Sequence, residues 1–167
     1  QKGFAHFLEH MMFNGTKNFP KNELLAFLES TGMRFGGDIN ASTGFDRTLY
    51  KLTLPLDKEN MLENGFQVLE DWAHQALLTA EEIDKERGVI YAEWTTGLGA
   101  GDRMRKKSLP LIFYNSKYAD RLPIGDTNII LNGTHEAMRR FYKDWYRPDL
   151  MSVMAVGDFD IKEIEKL

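Results

Sequence analysis

Apolar residues recur with a helical period along most of this chain and alternate with polar residues in one short region before residue 55. The segment from Phe4 to Phe13 contains no Pro or Gly and is rich in Leu, Met and Phe, so we predict a helix that ends at Asn14-Gly15. A second helix is predicted between Pro20 and Gly32, with an apolar face made of Leu24, Leu25 and Leu28.

Two strands are predicted after these helices. Residues 34 to 42 form the first, which contains the pair Gly36-Gly37. Residues 48 to 54 form the second, because Tyr50, Leu52 and Leu54 alternate with Leu49, Lys51 and Thr53. The pattern predicts an antiparallel pair.

Longer helices are predicted beyond the strands. Asp57 can cap a helix to about Leu78, with an inward stripe of Leu62, Phe66, Leu69, Ala73 and Leu77. Thr79 and Glu82 form a capping box that opens a further helix through Trp94. A flexible connection is then predicted at Gly97, Gly99 and Gly101, and residues 103–132, which contain Pro110 and Pro123, show no regular pattern.

The last third of the chain predicts a helix, a strand and the start of another helix. Thr134 caps the first of these helices, and we predict that its apolar residues Met138, Phe141, Tyr142 and Trp145 belong to the core. Residues 151–156 have the pattern of a buried strand, and residues 161–167 begin a helix. This order of elements predicts an α+β fold with helices packed on an antiparallel sheet.

Composition narrows the functional classes. With 167 residues, 43% of them hydrophobic, the chain forms one domain or most of one. A net charge of -4 without a basic stripe argues against nucleic acid as a partner, and no apolar run reaches the roughly 20 residues needed to span a membrane. Because the chain has no Cys, any metal must be bound by His, Asp or Glu.

Two of the four histidines occur in the run His6-Phe7-Leu8-Glu9-His10. Their spacing of four places both imidazoles about 40° apart on a helix, so both can reach one ion. Catalytic zinc takes three protein ligands and leaves a position for water, and Glu9 is placed to act as a general base. The order is the inverted form of the commoner His-Glu-x-x-His motif.

A third ligand is predicted in the helix that Thr79 caps. Its core-spaced positions are Ile83, Glu86, Ile90 and Glu93, with Val89 beside them. A buried carboxylate is costly unless it is paired or binds a metal, so this stripe indicates a cation in front of it. We predict that Glu93 is the ligand and that Glu86 is a supporting carboxylate. A shifted helix boundary would reverse these two roles. The alternative without a metal is a solvated acidic face paired with Lys85 and Arg87.

These residues resemble the active-site domain of the pitrilysin/insulinase family of zinc metallopeptidases. The resemblance extends in order through four further blocks, namely Met11 to Thr16, Gly36 to Ala41, Glu86 to Glu93 and Tyr146 to Asp158. Residues 116–125 are similar to the bacterial PqqL-type branch. The resemblance implies that His6, His10 and Glu93 bind Zn²⁺, that Glu9 is the catalytic base and that Glu86 is the supporting carboxylate. It also implies that the strand around Asn40 and Ala41 binds an extended peptide substrate.

The resemblance further implies a zinc endopeptidase that acts on peptides or unfolded segments. The alternative is a non-catalytic family subunit that serves as a scaffold or partner of an active peptidase. Residues 1–167 are expected to be one incomplete, N-terminal catalytic domain of a longer peptidase. Such a piece should bind zinc weakly and hydrolyse little without its C-terminal half or a partner subunit. The bacterial branch favours the periplasm or cell envelope.

Overall fold

The computed structural model describes residues 1–167 as eight α-helices and a two-stranded antiparallel sheet. The predicted α+β class is confirmed. The helices are α1 (Phe4–Met11), α2 (Glu23–Ser30), α3 (Met61–His74), α4 (Ala80–Thr96), α5 (Ala100–Ile112), α6 (Thr127–Asn132), α7 (His135–Trp145) and α8 (Ile161–Ile164). The strands are β1 (Ile39–Thr43) and β2 (Thr48–Leu52). No helix combines the length and the apolar character that crossing a membrane requires.

Helix α1 lies at the centre of the fold. It packs against α4, α6, α7 and both strands, and its side chains Phe7, Leu8 and Met11 are almost completely buried. Its N-terminal residue Phe4 contacts Phe141 of α7 edge to face, with ring centroids 5.8 Å apart. The helix that carries the inverted motif is therefore held by the core on nearly every side.

The hairpin follows the predicted alternation. Ala41 lies opposite Tyr50 and Thr43 lies opposite Thr48, and these four residues are half-buried on the face toward α1. Asn40 and Leu49 point to the exposed face. The side-chain period of two thus fixes which residues of β1 can reach the first helix.

The buried face of α3 differs from the predicted stripe by about one residue. Met61, Gly65, Val68 and Trp72 are buried, whereas the predicted Leu62, Phe66, Leu69 and Ala73 are half-buried and Leu77 is exposed. The cap is Asn60 and not Asp57. Gly65 explains the shift, because it lets Leu54 approach so closely that a Cβ there would lie 2.3 Å from the Leu54 Cδ1 atom.

The predicted connection after α4 is confined to residues 97–99, because α5 begins at Ala100 and contains Gly101 and Pro110. None of its residues is buried, and its sequence has no apolar stripe from which a helix could be predicted. Ion pairs from Asp102 to Arg105 and Lys106, at 3.1 and 2.8 Å, support its first turns. Residues 117–120 form a 3-10 turn, and Asp126 caps α6 with hydrogen bonds from the backbone N–H groups of Asn128 and Ile129.

The last third of the chain is confirmed in part. Thr134 caps α7 by accepting from the Ala137 N–H, Met138 and Tyr142 are buried, Phe141 is half-buried, and Trp145 is exposed, contrary to prediction. Residues 151–156 are not a buried strand: they pair with no strand, and Val153, Met154 and Val156 are exposed. A strand forms only where another strand offers hydrogen-bond partners, and the sheet contains β1 and β2 alone.

A close contact between two glycines connects the start of α1 to the segment before α6. Gly125 has φ +85°, and a Cβ at this position would lie 2.3 Å from the Gly3 Cα atom.

Substitution of Gly125 by Ala should therefore cost about 2–4 kcal/mol of unfolding free energy, from backbone strain and overpacking. The midpoint of urea unfolding measures this loss of stability. Gly101→Ala is the control, because a Cβ there meets nothing within 4 Å; equal midpoints for the two variants would contradict the prediction.

Candidate metal centre

Helix α1 presents His6 and His10 on one side. Their rings meet edge to face with centroids 4.8 Å apart, as a spacing of four residues on a helix predicts. His6 is buried and His10 is half-buried. Burial lowers the pKa of His6, despite the nearby carboxylates of Glu93 and Glu9. The neutral imidazole, which is the form that binds metal, is therefore favoured at His6.

Helix α4 brings two carboxylates to these histidines. Ile83 and Ile90 are completely buried and seat the helix against the core. Glu86 lies between them and is 8% exposed, whereas the side chain of Glu93 is 50% exposed and Val89 is exposed. The cost of burying a carboxylate thus falls on Glu86, whereas Glu93 lies at an open edge.

Three candidate ligand atoms lie close together. The Nε2 atoms of His6 and His10 are each 3.4 Å from the Oε2 atom of Glu93, and one donor atom from each of the three residues lies within 4.8 Å of the others. A separation of 3.4 Å is long for a hydrogen bond. It matches the distance of about 3.3–3.4 Å between two ligands of a tetrahedral ion bound at about 2.0–2.1 Å. The donor set and the two distances from the histidines to Glu93 fit Zn²⁺.

Glu86 faces the other nitrogen of His10. Its Oε1 atom is 2.8 Å from His10 Nδ1, and its Oε2 atom accepts a hydrogen bond of 2.5 Å from Asn14 Nδ2. Burial raises the pKa of Glu86, but these two hydrogen bonds outweigh it and hold the pKa below its usual value. Because a carboxylate only accepts, His10 carries its proton on Nδ1 and turns Nε2 toward Glu93.

The pKa of His10 moves in the opposite direction from that of His6. Burial lowers it, but the hydrogen bond to Glu86 and the charges of Glu86, Glu93 and Glu9 raise it above its usual value. Without a metal, a proton on His10 is therefore favoured by the three surrounding carboxylates. A bound cation would supply the same positive charge.

The alternative of a solvated acidic face does not agree with the contacts of α4. Lys85 pairs with Glu82 at 3.5 Å. Arg87 pairs with Asp84 and donates to the carbonyl oxygens of Ile130 and Gly133. Both cations are thus engaged away from Glu86 and Glu93. The remaining histidines, His74 and His135, pair with Glu70 and Asp84 at 3.7 and 2.7 Å and belong to the surface.

Glu9 lies on the open side of the three ligand atoms. Its Oε2 atom accepts a hydrogen bond from the Thr43 hydroxyl of β1. A cleft of about 290 Å³ is lined by His6, Glu9, Ser42, Thr43, Glu93, Pro123 and Ile124. The candidate base and the candidate ligands thus share one opening.

Strand β1 borders this cleft with a free edge. Gly44 N–H donates to Arg47 C=O and Thr53 N–H to Asp38 C=O just beyond the two ends of the pair. Antiparallel alternation then directs the backbone of Asn40 toward β2 and the backbone of Ala41 and Thr43 outward. The Asn40 side chain is exposed, and its Oδ1 atom accepts from the Ala41 N–H at 2.9 Å.

Three contacts of the site were not predicted. Asn14 lies inside one of the family blocks and Thr43 just after another, but their partners are 72 and 34 residues away, so no local pattern identifies them. Ile124 reaches the cleft because the Gly3–Gly125 contact holds its segment there. Only a comparison of related sequences could have indicated these positions.

Comparison with known proteins agrees with this geometry. Residues 1–117 match the family described as Insulinase (Peptidase family M16), and residues 132–167 match the Peptidase M16 inactive domain. The probable zinc proteases PqqL of Haemophilus influenzae and Escherichia coli are 42% and 40% identical over 100% and 96% of the chain.

A solved structure supports the same relationship. The crystal structure of the first half of the periplasmic protease PqqL from Escherichia coli superposes with a TM-score of 0.91 at 40% identity, over 96% of this chain and 34% of that one. The chain spans about a fifth of the length of the curated relatives it matches, 18% and 17% for the two bacterial proteins.

Proposed function

The chain belongs to the insulinase family, peptidase family M16, and on this premise we propose that it forms the zinc-binding catalytic part of a metalloendopeptidase. Its substrates would be peptides or unfolded protein segments. The observation that carries the proposal is the convergence of His6 Nε2, His10 Nε2 and a Glu93 carboxylate oxygen beside Glu9, in one cleft.

Each residue has a distinct role in this proposal. His6, His10 and Glu93 would bind the zinc, and Glu86 would keep His10 in the tautomer that directs Nε2 toward it. Zinc bound there supplies a Lewis acid that polarises a carbonyl and lowers the pKa of a bound water. Glu9 would take a proton from the attacking water and pass it to the leaving amine, the work of a general acid-base group.

The substrate would bind as an added strand. The backbone groups of Ala41 and Thr43 point away from β2, so an extended peptide could pair with them beside Glu9. Asn40 would contribute through its side chain, because its own backbone pairs within the hairpin. Pro123 and Ile124 line the same cleft.

The non-catalytic subunit is the second candidate function. An intact set of three ligand residues, a base and an orienting carboxylate disfavours it, because a scaffold does not need them. We propose further that residues 1–167 are the N-terminal catalytic domain of a longer protein, since its relatives are several times longer. A C-terminal half or partner subunit would then close the cleft, and a periplasmic setting follows from the relatives that are named periplasmic proteases.

Removal of the metal tests this function. The full-length protein should cleave an unstructured fluorogenic peptide, lose that activity to a chelator and regain it with one equivalent of Zn²⁺, because the water and the carbonyl both depend on the ion. The measurement is turnover against zinc added back. Full activity in chelator, with zinc below detection, would contradict the proposal, and so would a zinc-loaded protein that cleaves no peptide.

A further inference from the structure

A row of hydroxyl groups leads from the interior of the fold to Glu9. The hydroxyls of Tyr50 and Tyr146 are 2.6 Å apart, and those of Thr43 and Thr48 are 3.3 Å apart. Thr43 donates in turn to Glu9. Thr48 also lowers the pKa of Tyr146, so the two pairs lie near each other.

The hairpin register explains how these groups come together. Thr43 and Thr48 face each other across the strands, and Tyr50 follows Thr48 by two residues on the same inward face. Tyr146 reaches them from the residue after α7, where it also contacts the ring of Tyr142 with centroids 4.8 Å apart. Both strands and α7 thus contribute hydroxyls to one row that ends at α1.

The number of protons gives this row a direction. A carboxylate only accepts, so the single proton of the Thr43 hydroxyl is used by Glu9. The bond between Thr43 and Thr48 must then use the proton of Thr48.

Both phenols keep their protons at neutral pH. Burial, above all, raises the pKa of Tyr50 well above its usual value and that of Tyr146 to about 12. Both phenol hydroxyls therefore remain hydrogen-bond donors. The bonds from Thr48 to Thr43 and from Thr43 to Glu9 are aligned, and aligned hydrogen bonds strengthen one another in a low-dielectric interior.

We propose that Thr43 is a positioning residue for Glu9, which it holds by the Oε2 atom so that the Oε1 atom is left for proton transfer in the cleft. This inference rests on the function proposed above, in which Glu9 is the base. Thr48 supports Thr43 by donating to its oxygen, which leaves the Thr43 proton for Glu9. A free Glu side chain loses rotamer freedom when it is held, so a preformed bond removes that cost from the reaction.

Steady-state kinetics of the full-length protein test the positioning role. Thr43→Val should lower kcat about ten-fold or more while KM and zinc content stay close to the wild type, because the base is misplaced and the substrate edge is intact. Thr43→Ser should recover most of kcat. Thr48→Val, which removes the proton that Thr43 accepts, should have a smaller effect of the same kind. The control is Thr53→Val, at an exposed position just beyond β2.

A second measurement does not depend on activity. The unfolding free energies of metal-free wild type, Thr43→Val, Glu9→Ala and the double variant form a cycle that isolates the Thr43–Glu9 interaction. Non-additivity is expected, and additive costs or an unchanged kcat in Thr43→Val would overturn the proposal. If the wild type cleaves no peptide, the function proposed above fails, and the cycle still decides whether Thr43 holds Glu9.

Discussion

Replacement of Glu9 by Gln should lower kcat by about 10²–10⁴-fold and leave zinc bound at one ion per chain. A general acid-base group contributes a factor of this size, and an amide cannot accept the proton. Glu9 is not among the three atoms that converge on the metal position, so its loss removes no ligand. Turnover of a fluorogenic peptide and the zinc content of the same preparation are the two measurements.

The matched control for this prediction is Glu29→Gln, which makes the same chemical change at an exposed position of α2. It should behave like the wild type in both measurements. Retained turnover in Glu9→Gln would remove the base assignment. Loss of zinc together with turnover would instead indicate that Glu9 is a ligand.

Replacement of Glu93 by Gln should weaken zinc binding by more than about a hundred-fold. Glu93 supplies the only carboxylate oxygen within 3.4 Å of both imidazole Nε2 atoms, and a neutral amide oxygen is a much poorer ligand. Competition against a chelating dye of known affinity measures the change. Because the Glu93 side chain is half exposed, the substitution should alter the unfolding free energy of the metal-free protein little.

Glu86→Gln is the matched comparison for Glu93→Gln, because it tests the other carboxylate of α4. Glu86 contacts His10 Nδ1 and Asn14, so its loss should reduce zinc affinity by only about 10–100-fold, as for other residues that orient a ligand. Unlike Glu93, it is buried, so Glu86→Gln should also lower stability. A larger loss of zinc in Glu86→Gln than in Glu93→Gln would reverse the two roles.

The centre of the site could be predicted from the sequence because its geometry is local. The spacing of His6 and His10 is a property of one helix, and the seven-residue interval between Glu86 and Glu93 is a property of another. Thr79 and Thr134 cap the helices as predicted, since a cap depends on residues three positions apart. The family resemblance adds that these two helices pack side by side, which the periodicity of either helix alone cannot indicate.

Other features could not be predicted, because they depend on contacts between distant segments. The face of α3 is set by Leu54 packing on Gly65, and not by the strongest apolar stripe of the helix. Helix α5 buries nothing, so it has no stripe to detect. Residues 151–156 have the apolar pattern of a strand and lie exposed without a neighbouring strand. The bond from Thr43 to Glu9 likewise depends on how β1 packs against α1.

Anomalous diffraction at the zinc edge, from crystals of the full-length protein grown with zinc, tests the central claim most directly. We expect one peak about 2.0–2.2 Å from His6 Nε2, His10 Nε2 and a Glu93 oxygen. Glu86 should be hydrogen-bonded to His10 Nδ1 and lie outside the coordination sphere. A zinc ion bound to Glu86 in place of Glu93, or no peak between α1 and α4, would contradict it.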